Sequence, residues 1–572
     1  MKPSRAESGA VAGEPRPVPQ QTSAQIVSAF ETFLQEHPKS AVVEDGKVLF
    51  DMSRAQYSIA EAHGRCTLHL WDDECNIVRT VSAATMRTPG LRLTTHRFGQ
   101  SKPGSLELLK DRERRTPLGR ETVRTRYLSL LERVCMRSSA PGWGEWAPEG
   151  FRTAMDLEKS FGPAYARGSL VKGQQAWAVI GVNAEESTAM VEGILTLGVL
   201  WLDYCRQQAA GRRLYRGLRV VVPAGMGTLT ASRLMWMNPQ AAQWELWELD
   251  ARTEELHRRD AADHGNLTTR LVQAADESSV RERFRDATPR VMALVPEEGR
   301  SLVELRARGA AELAFLLHGL EFARIRAGYS GQSFNRVEEI SVGTGPSETV
   351  LTGANAGKLQ ELIAALFERR HAAHDQAEGI GANRKRPVGP KSRATDLLYR
   401  MQPERWLESV LRRELDVIDE RLDPMHVYTQ VPAFAASDRG MLDLLGVSRD
   451  GRLAVIELKA EEDLQLAMQG LDYWVRVRWH HMQAADPGGG LGEFQRHGYF
   501  RGVRLSAEPP RLYLVSPALR VHPATETVLR YFSPRVHWEL VALDERWREK
   551  LRVVWRKRSA PTLATREPLI GS

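Results

Sequence analysis

The stretch from Met441 to Tyr473, MLDLLGVSRDGRLAVIELKAEEDLQLAMQGLDY, constrains the fold more than any other part of the chain. Two apolar runs flank Asp450-Gly451, a dipeptide that closes β-hairpins because glycine takes a positive φ at no steric cost. The runs are Leu442, Leu444 and Val447, then Leu453, Val455, Ile456 and Leu458. They are nearly continuous, as in a sheet covered on both faces. Asp443, Glu457 and Lys459 interrupt them, and such groups are costly to bury unless they pair or hold a metal ion. A two-residue loop would set Asp443 opposite Leu458. A three-residue loop, Arg449-Asp450-Gly451, built as a type I turn with Gly451 as a G1 bulge, sets Asp443 opposite Glu457. We expect the second, because it alone brings both carboxylates and the Lys459 amine to one face without a further bulge.

The segment that follows reads as an amphipathic helix. Gln469 and Tyr473 lie at i and i+4, Arg476 and His480 continue that face, and Leu464, Met468, Leu471 and Val475 form the other. Two carboxylates supply hard oxygen ligands for Mg²⁺, with Mn²⁺ as a substitute. A cation so held polarises a phosphoryl oxygen and activates water. Lys459 would offset charge developing in the transition state. The constellation suits phosphodiester hydrolysis.

In these residues the chain resembles the PD-(D/E)XK nuclease superfamily, and within it the RecB-like branch, where a Gln-x-x-x-Tyr helix follows the Glu-x-Lys strand. The resemblance covers roughly residues 395–480 and implies a restriction-endonuclease-like fold. It implies that Asp443 and Glu457 bind divalent metal, that Lys459 assists the attacking water, and that Gln469 and Tyr473 support the site or touch nucleic acid. A helix before the hairpin contributes a further Glu in this family. PERWLESVLRREL offers Glu408 as that third metal ligand, with Glu404 as the lesser choice. Arg476 and His480 are expected to contact nucleic acid. Leu442 stands where the family often has proline. DNA is the expected substrate, in repair, recombination or defence.

A lone acid-x-Lys is weak evidence. Asp45-Gly46-Lys47 fits it too, yet sits in VVEDGKVLF, which reads as a hairpin turn. Read blandly, Glu457 and Lys459 are an ion pair on an edge strand. Five positions in the right order and spacing favour the site.

An internal repeat organises much of the remaining chain. AVIGVNAEES from Ala178 echoes AVIELKAEED from Ala454. LRVVVPA from Leu218 matches LYLVSPA from Leu512, and WELWELDAR from Trp244 matches WELVALDER from Trp538, with one constant offset. Each copy carries Leu-Asp-Tyr in a helix, at 202–204 and 471–473. Aligned on these echoes, Gly181 replaces Glu457, Asn183 replaces Lys459 and Leu200 replaces Gln469, while Tyr204 matches Tyr473. The first copy therefore reads as a degenerate nuclease-like domain suited to packing, dimer-like pairing or nucleic-acid contact.

At 572 residues the chain exceeds one hydrophobic core. We expect a mixed α+β (α/β) protein divided as follows: a disordered tail over 1–20, a β-rich module over 21–115 and the degenerate domain over 116–255. A connecting α+β region over 256–371, a flexible basic linker over 372–393, the nuclease domain over 394–558 and a tail over 559–572 complete it. Residues 257–286 read as polar helix. The basic run RWREKLRVVWRKRS reads either as a terminal helix or as a surface for nucleic-acid backbone and bases. The β-rich module is open to protein partners, to nucleic acid or to a structural role alone, and homo-oligomerisation stays open. The net charge of +7 favours a polyanionic partner only mildly. Four cysteines without metal spacing point to a reduced cytoplasm. No run matches a membrane span, the richest being Ile194–Leu202. No Gly-Lys-Ser/Thr phosphate loop occurs, which argues against an ATPase motor. The rival reading is a non-catalytic nucleic-acid-binding scaffold made of two nuclease-like folds.

Overall fold

The computed structural model describes residues 21–559, apart from 39, 45–46, 53–54, 63–64, 73–75, 87–89, 97–103, 111–116, 138–141, 154–160, 262–269, 330–335, 344–347, 372–396, 436–437 and 483–491. The expected disordered tail, the basic linker and nearly all of the C-terminal tail lie outside these residues. Residues 1–123 and 124–572 form two compact units.

In the first unit, Thr22 and Gln25 form a capping box that starts the helix Ser23–Glu36. The helix buries Ile26, Phe30 and Phe33 in a core with Leu68, Leu70, Val81 and Leu93 of a seven-stranded, all-antiparallel sheet. The expected β-rich module is thus a sheet with a helix packed on it.

The second unit contains the two repeats. Numbered along the repeats alone, the first comprises β1 (Ala147–Arg152), β2 (Tyr165–Lys172), β3 (Gln175–Val182), α1 (Thr188–Ala209), β4 (Leu214–Pro223), α2 (Thr228–Leu234), β5 (Gln243–Asp250) and β6 (Glu255–Arg259). The second comprises α3 (Pro403–Arg413), β7 (Tyr428–Ala435), β8 (Asp438–Val447), β9 (Leu453–Leu458) and α4 (Leu466–Met482). It ends with β10 (Arg511–Pro517), α5 (Ala524–Arg530), β11 (His537–Leu543) and β12 (Val553–Arg558). Strand order and sense coincide. β1-β2-β3 and β7-β8-β9 are antiparallel meanders, β3-β4-β5 and β9-β10-β11 run parallel, and β6 and β12 close each sheet antiparallel. A crossover helix covers each parallel step, as parallel pairing requires.

The repeats pack face to face about a pseudo-two-fold axis. Met237 and Phe532 form an antiparallel bridge. The Asn238 N–H donates to the Tyr531 carbonyl and the Ser533 N–H donates to the Trp236 carbonyl, both at 2.8 Å. One core runs through both repeats and includes Ile194, Leu202 and Trp236 from the first and Leu471, Trp474 and Phe532 from the second. The shared Leu-Asp-Tyr motif has its explanation here. Asp472 receives a forked pair of hydrogen bonds from Arg233 of α2, at 2.8 and 2.6 Å, and Asp203 accepts from the Tyr531 hydroxyl just past α5 at 3.1 Å. Each aspartate reaches across to the other repeat. Helix α1 is long and apolar enough to cross a membrane by composition. In this fold it fills the shared core.

Between the repeats lies a five-stranded antiparallel sheet, Val303–Gly309, Glu312–Leu317, Leu320–Tyr329, Arg336–Val342 and Thr349–Val350, with helix Ala356–His371 packed on it. Its strand Val303–Gly309 meets α3 through the ion pair of Glu304 with Arg413, and the neighbouring helix Glu277–Arg283 does so through Glu277 with Arg412. Two expectations change. The segment read as polar helix overlaps strand Glu255–Arg259, holds strand Arg270–Leu271, and among its described residues is helical only over Glu277–Arg283. The basic C-terminal run ends in strand β12 rather than a helix, because Val553, Val554 and Trp555 favour a ladder with β11. Its Arg556 and Arg558 pair with Glu539 and its Lys557 with Glu526, so these cations are already engaged.

Candidate active site

The hairpin loop has the three-residue form. The Ser448 N–H donates to the Arg452 carbonyl and the Gly451 N–H donates to the Ser448 carbonyl, leaving Arg449-Asp450-Gly451 as the turn. Gly451 has φ +81°, and a Cβ there would lie 2.2 Å from the Arg504 carbonyl oxygen, so glycine is required twice over. The ladder runs from Val447 opposite Leu453 to Leu444 opposite Ile456. One step further sets Asp443 opposite Glu457.

These two carboxylates, Lys459, and Gln469 and Tyr473 from α4 line one open cavity of about 650 Å³. Glu404, in the first turn of α3, and Glu461 join them, as does Gln430 of β7. Helix α3 starts at Pro403, whose fixed φ suits the first helical position. It buries Trp406, Leu407 and Leu411. Of the two glutamates considered on α3, the one lining the cavity is Glu404. Glu408 is 1% exposed, and its carboxylate faces Arg306 at 2.8 Å and Arg405 at 3.2 Å. As placed, Glu408 is a buried ion-pair partner one layer behind Asp443, and the cavity-facing carboxylate of the helix is Glu404.

The electrostatics are unusual for a structural ion pair. Burial pushes the Asp443 carboxyl up to about 7, against the Leu458 N–H, which donates to its Oδ2 at 3.0 Å. Burial and the facing Asp443 hold Glu457 well above the carboxylate range. Burial works against the charge on Lys459, but Glu457, 3.5 Å away, and Glu404, 3.7 Å away, outweigh it and raise its pKa. Three buried acceptor oxygens on this cavity have no hydrogen-bond partner among the described residues: Glu457 Oε2, Gln430 Oε1 and Gln469 Oε1. Such groups are costly without a donor or cation.

No group of three or more His, Cys, Asp or Glu side chains arranged for a metal is found among the described residues. The donor set nonetheless suits a hard cation. Mg²⁺ is commonly held by one or two carboxylates and keeps several waters, and the unsatisfied oxygens are what a cation would complete.

A pH dependence follows for the cation-free protein. Asp443 and Glu457 titrate higher folded than unfolded, so the native state binds their protons more tightly. Their contribution is fullest below the unfolded carboxylate range and is lost as pH rises through the folded values. We expect the thermal midpoint, in chelator, to fall from about pH 5 to about pH 8, and Asp443→Asn to flatten the fall. A midpoint that rises equally in both proteins would contradict this electrostatic account.

Arg476 and His480 do not reach solvent as nucleic-acid contacts should. Each is 4% exposed. Arg476 lies over the Tyr473 ring, and His480 Nδ1 lies 2.9 Å from Glu493, packed beside Phe494. The residue that sequence reasoning missed is Gln430. It lies opposite Asp443 on β7, between the pairs Thr429–Leu444 and Val431–Leu442, with a left-handed φ of +51°. A polar residue in a strand ordinarily reads as solvent-facing, so no sequence signal marks it.

The first repeat lacks this chemistry, by a different alignment from the one the sequence echo suggests. Glu457 neighbours Leu514 on β10, whose counterpart Val220 neighbours Ile180, not Gly181. Ile180 lies opposite Arg167. Hence Ile180, Val182 and Arg167 occupy the places of Glu457, Lys459 and Asp443. The AVI echo is one residue out of register, consistent with the irregularity after Ala176. Gly181 points to the other face, toward Tyr127 and Leu131.

No protein-family model matches the chain, and a search of curated proteins finds no match.

Proposed function

We propose that this protein is a metal-dependent nuclease that hydrolyses phosphodiester bonds, with DNA as the substrate and repair, recombination or defence as the setting. In this reading the second repeat is a restriction-endonuclease-like domain of the PD-(D/E)XK type and the first a degenerate copy. The observation that carries it is the hairpin register. It sets Asp443 opposite Glu457 on a cavity shared with Lys459, Gln469 and Tyr473, with acceptor oxygens left unsatisfied.

Asp443 and Glu457 would hold Mg²⁺ or Mn²⁺, with Glu404 at the rim. The ion, when bound, supplies Lewis acidity toward a phosphoryl oxygen. Lys459 carries a fixed positive charge in a cavity only partly open to water, where it is worth more than in bulk. It would face the charge that develops on the phosphoryl group. The Asp443 carboxylate is oriented by the Leu458 N–H, so it need not reorganise during reaction. Tyr473 is kept protonated by burial and by the neighbouring carboxylates, which leaves its hydroxyl a donor. With Arg476 and His480 buried, phosphate contacts fall to groups at the rim such as Arg405.

The test is cleavage of labelled single-stranded, duplex and branched DNA with Mg²⁺, Mn²⁺ or chelator. Metal-dependent cutting of at least one substrate is expected. Binding without cutting under every condition would instead support the scaffold reading.

A further inference from the structure

A buried polar chain links the candidate active site to the sheet between the repeats. Arg306, on strand Val303–Gly309, is 4% exposed and donates through Nη1 to Glu408 Oε1 at 2.8 Å. On the other carboxylate oxygen of Glu408, Arg405 donates at 3.2 Å and Gln430 Nε2 at 2.6 Å. The same Nε2 lies 3.4 Å from Asp443 Oδ1. Glu304 also faces Arg306, at 3.5 Å.

The chemistry fixes the direction of this chain. Two carboxylates flank the Gln430 amide, so its NH₂ group must face them and its Oε1 must face away, toward the cavity it lines. Gln430 also holds a left-handed backbone, a conformation that is strained for a residue other than glycine. Such strain persists only where surroundings over-determine it, and the charge-assisted bond to Glu408 is the strongest local restraint on this side chain. Glu408 can stay charged at this depth only with fixed cations beside it. Arg405 is more than a third exposed and less confined. Arg306 is the buried one.

We infer that Arg306, a residue of the intervening sheet, is a positioning residue for the active site, holding Glu408 so that Gln430 orients Asp443 and presents Oε1 to the cation. The inference rests on the nuclease reading and adds that the intervening sheet is part of the working enzyme. Contacts behind metal ligands typically carry about 10–100-fold in affinity or activity.

The test uses the full-length chain and three readouts: Mn²⁺ affinity by calorimetry, cleavage kinetics and thermal midpoint. Arg306→Met should weaken Mn²⁺ binding about 10-fold or more and lower kcat by a similar factor, with KM for DNA within about threefold. Arg306→Lys keeps the charge beside Glu408 and should restore most of both. Gln430→Leu keeps the side-chain volume and cuts only the link, so it should weaken Mn²⁺ binding at a near-normal midpoint. If Arg306→Met does not fold, Gln430→Leu decides the matter alone. Wild-type Mn²⁺ affinity and kcat in folded variants would overturn the inference while leaving the nuclease reading intact. A wild type that neither binds Mn²⁺ nor cuts would overturn both.

Discussion

Replacing Glu457 with glutamine is expected to abolish cleavage, by at least about 100-fold, while leaving the cation-free protein as stable as the wild type or more so. The two effects have opposite signs for one reason. Glu457 is buried opposite Asp443, and each carboxylate raises the cost of ionising the other. Glutamine keeps the volume and removes that repulsion, but also removes the charge that would hold the metal. Lys459→Ala should lose cleavage by a comparable factor and move stability the other way. It strips the amine from between Glu457 at 3.5 Å, Glu404 at 3.7 Å and Asp463 at 3.9 Å. Rates on the preferred DNA substrate, with thermal midpoints in chelator, separate these outcomes. Cleavage within about tenfold of wild type in Glu457→Gln would place the reacting groups elsewhere and sink the proposal. A shared fall in midpoint would mean that the pair is an ordinary structural ion pair.

The hairpin could be read from sequence because its determinants are local. Turn chemistry at Asp450-Gly451 fixes the loop, the loop fixes the register, and the register decides which side chains face each other. What could not be read depends on distance or on face. Arg306 belongs to another sheet, about a hundred positions before its partner Glu408, and no local pattern announces such a contact. Gln430 works from a left-handed position within a strand, where periodicity assigns it no role. Arg476 and His480 do follow Tyr473 at helical spacing, yet α4 runs on beneath the segment 493–500, whose Phe494 and Glu493 cover that end. Helical arithmetic gives the face of a helix and not what lies over it. The repeat shows the same limit. Its strand order was legible in the shared LYLVSPA and WELVALDER patterns, but a one-residue slip in β3 moved Gly181 to the wrong side of the sheet. In a strand a single residue reverses every facing.

Trp474→Ala is expected to destabilise both repeats together, by about 3–5 kcal/mol. Trp474 is fully buried, its indole N–H donates to the Pro510 carbonyl at 2.7 Å, and its ring meets Trp236 of the first repeat edge-on at 4.7 Å. Two residues earlier, Asp472 takes the forked bond from Arg233. Removing either group therefore injures the contact between repeats and not the candidate site itself. If the repeats were independent domains, the variant should melt in two steps, with the first repeat near its wild-type midpoint. The shared core argues for one step, because Ile194, Leu202 and Trp236 lose their partners when α4 leaves. Calorimetry of the full chain distinguishes the two, with the 1–123 unit as a separate transition on either account. A double-mutant cycle with Trp236→Ala should return a coupling of about 0.5–1.5 kcal/mol, the range for edge-to-face rings. A single transition would mean that neither repeat folds without the other, with α1 and α2 of the first covering apolar surface that α4 of the second would otherwise leave exposed.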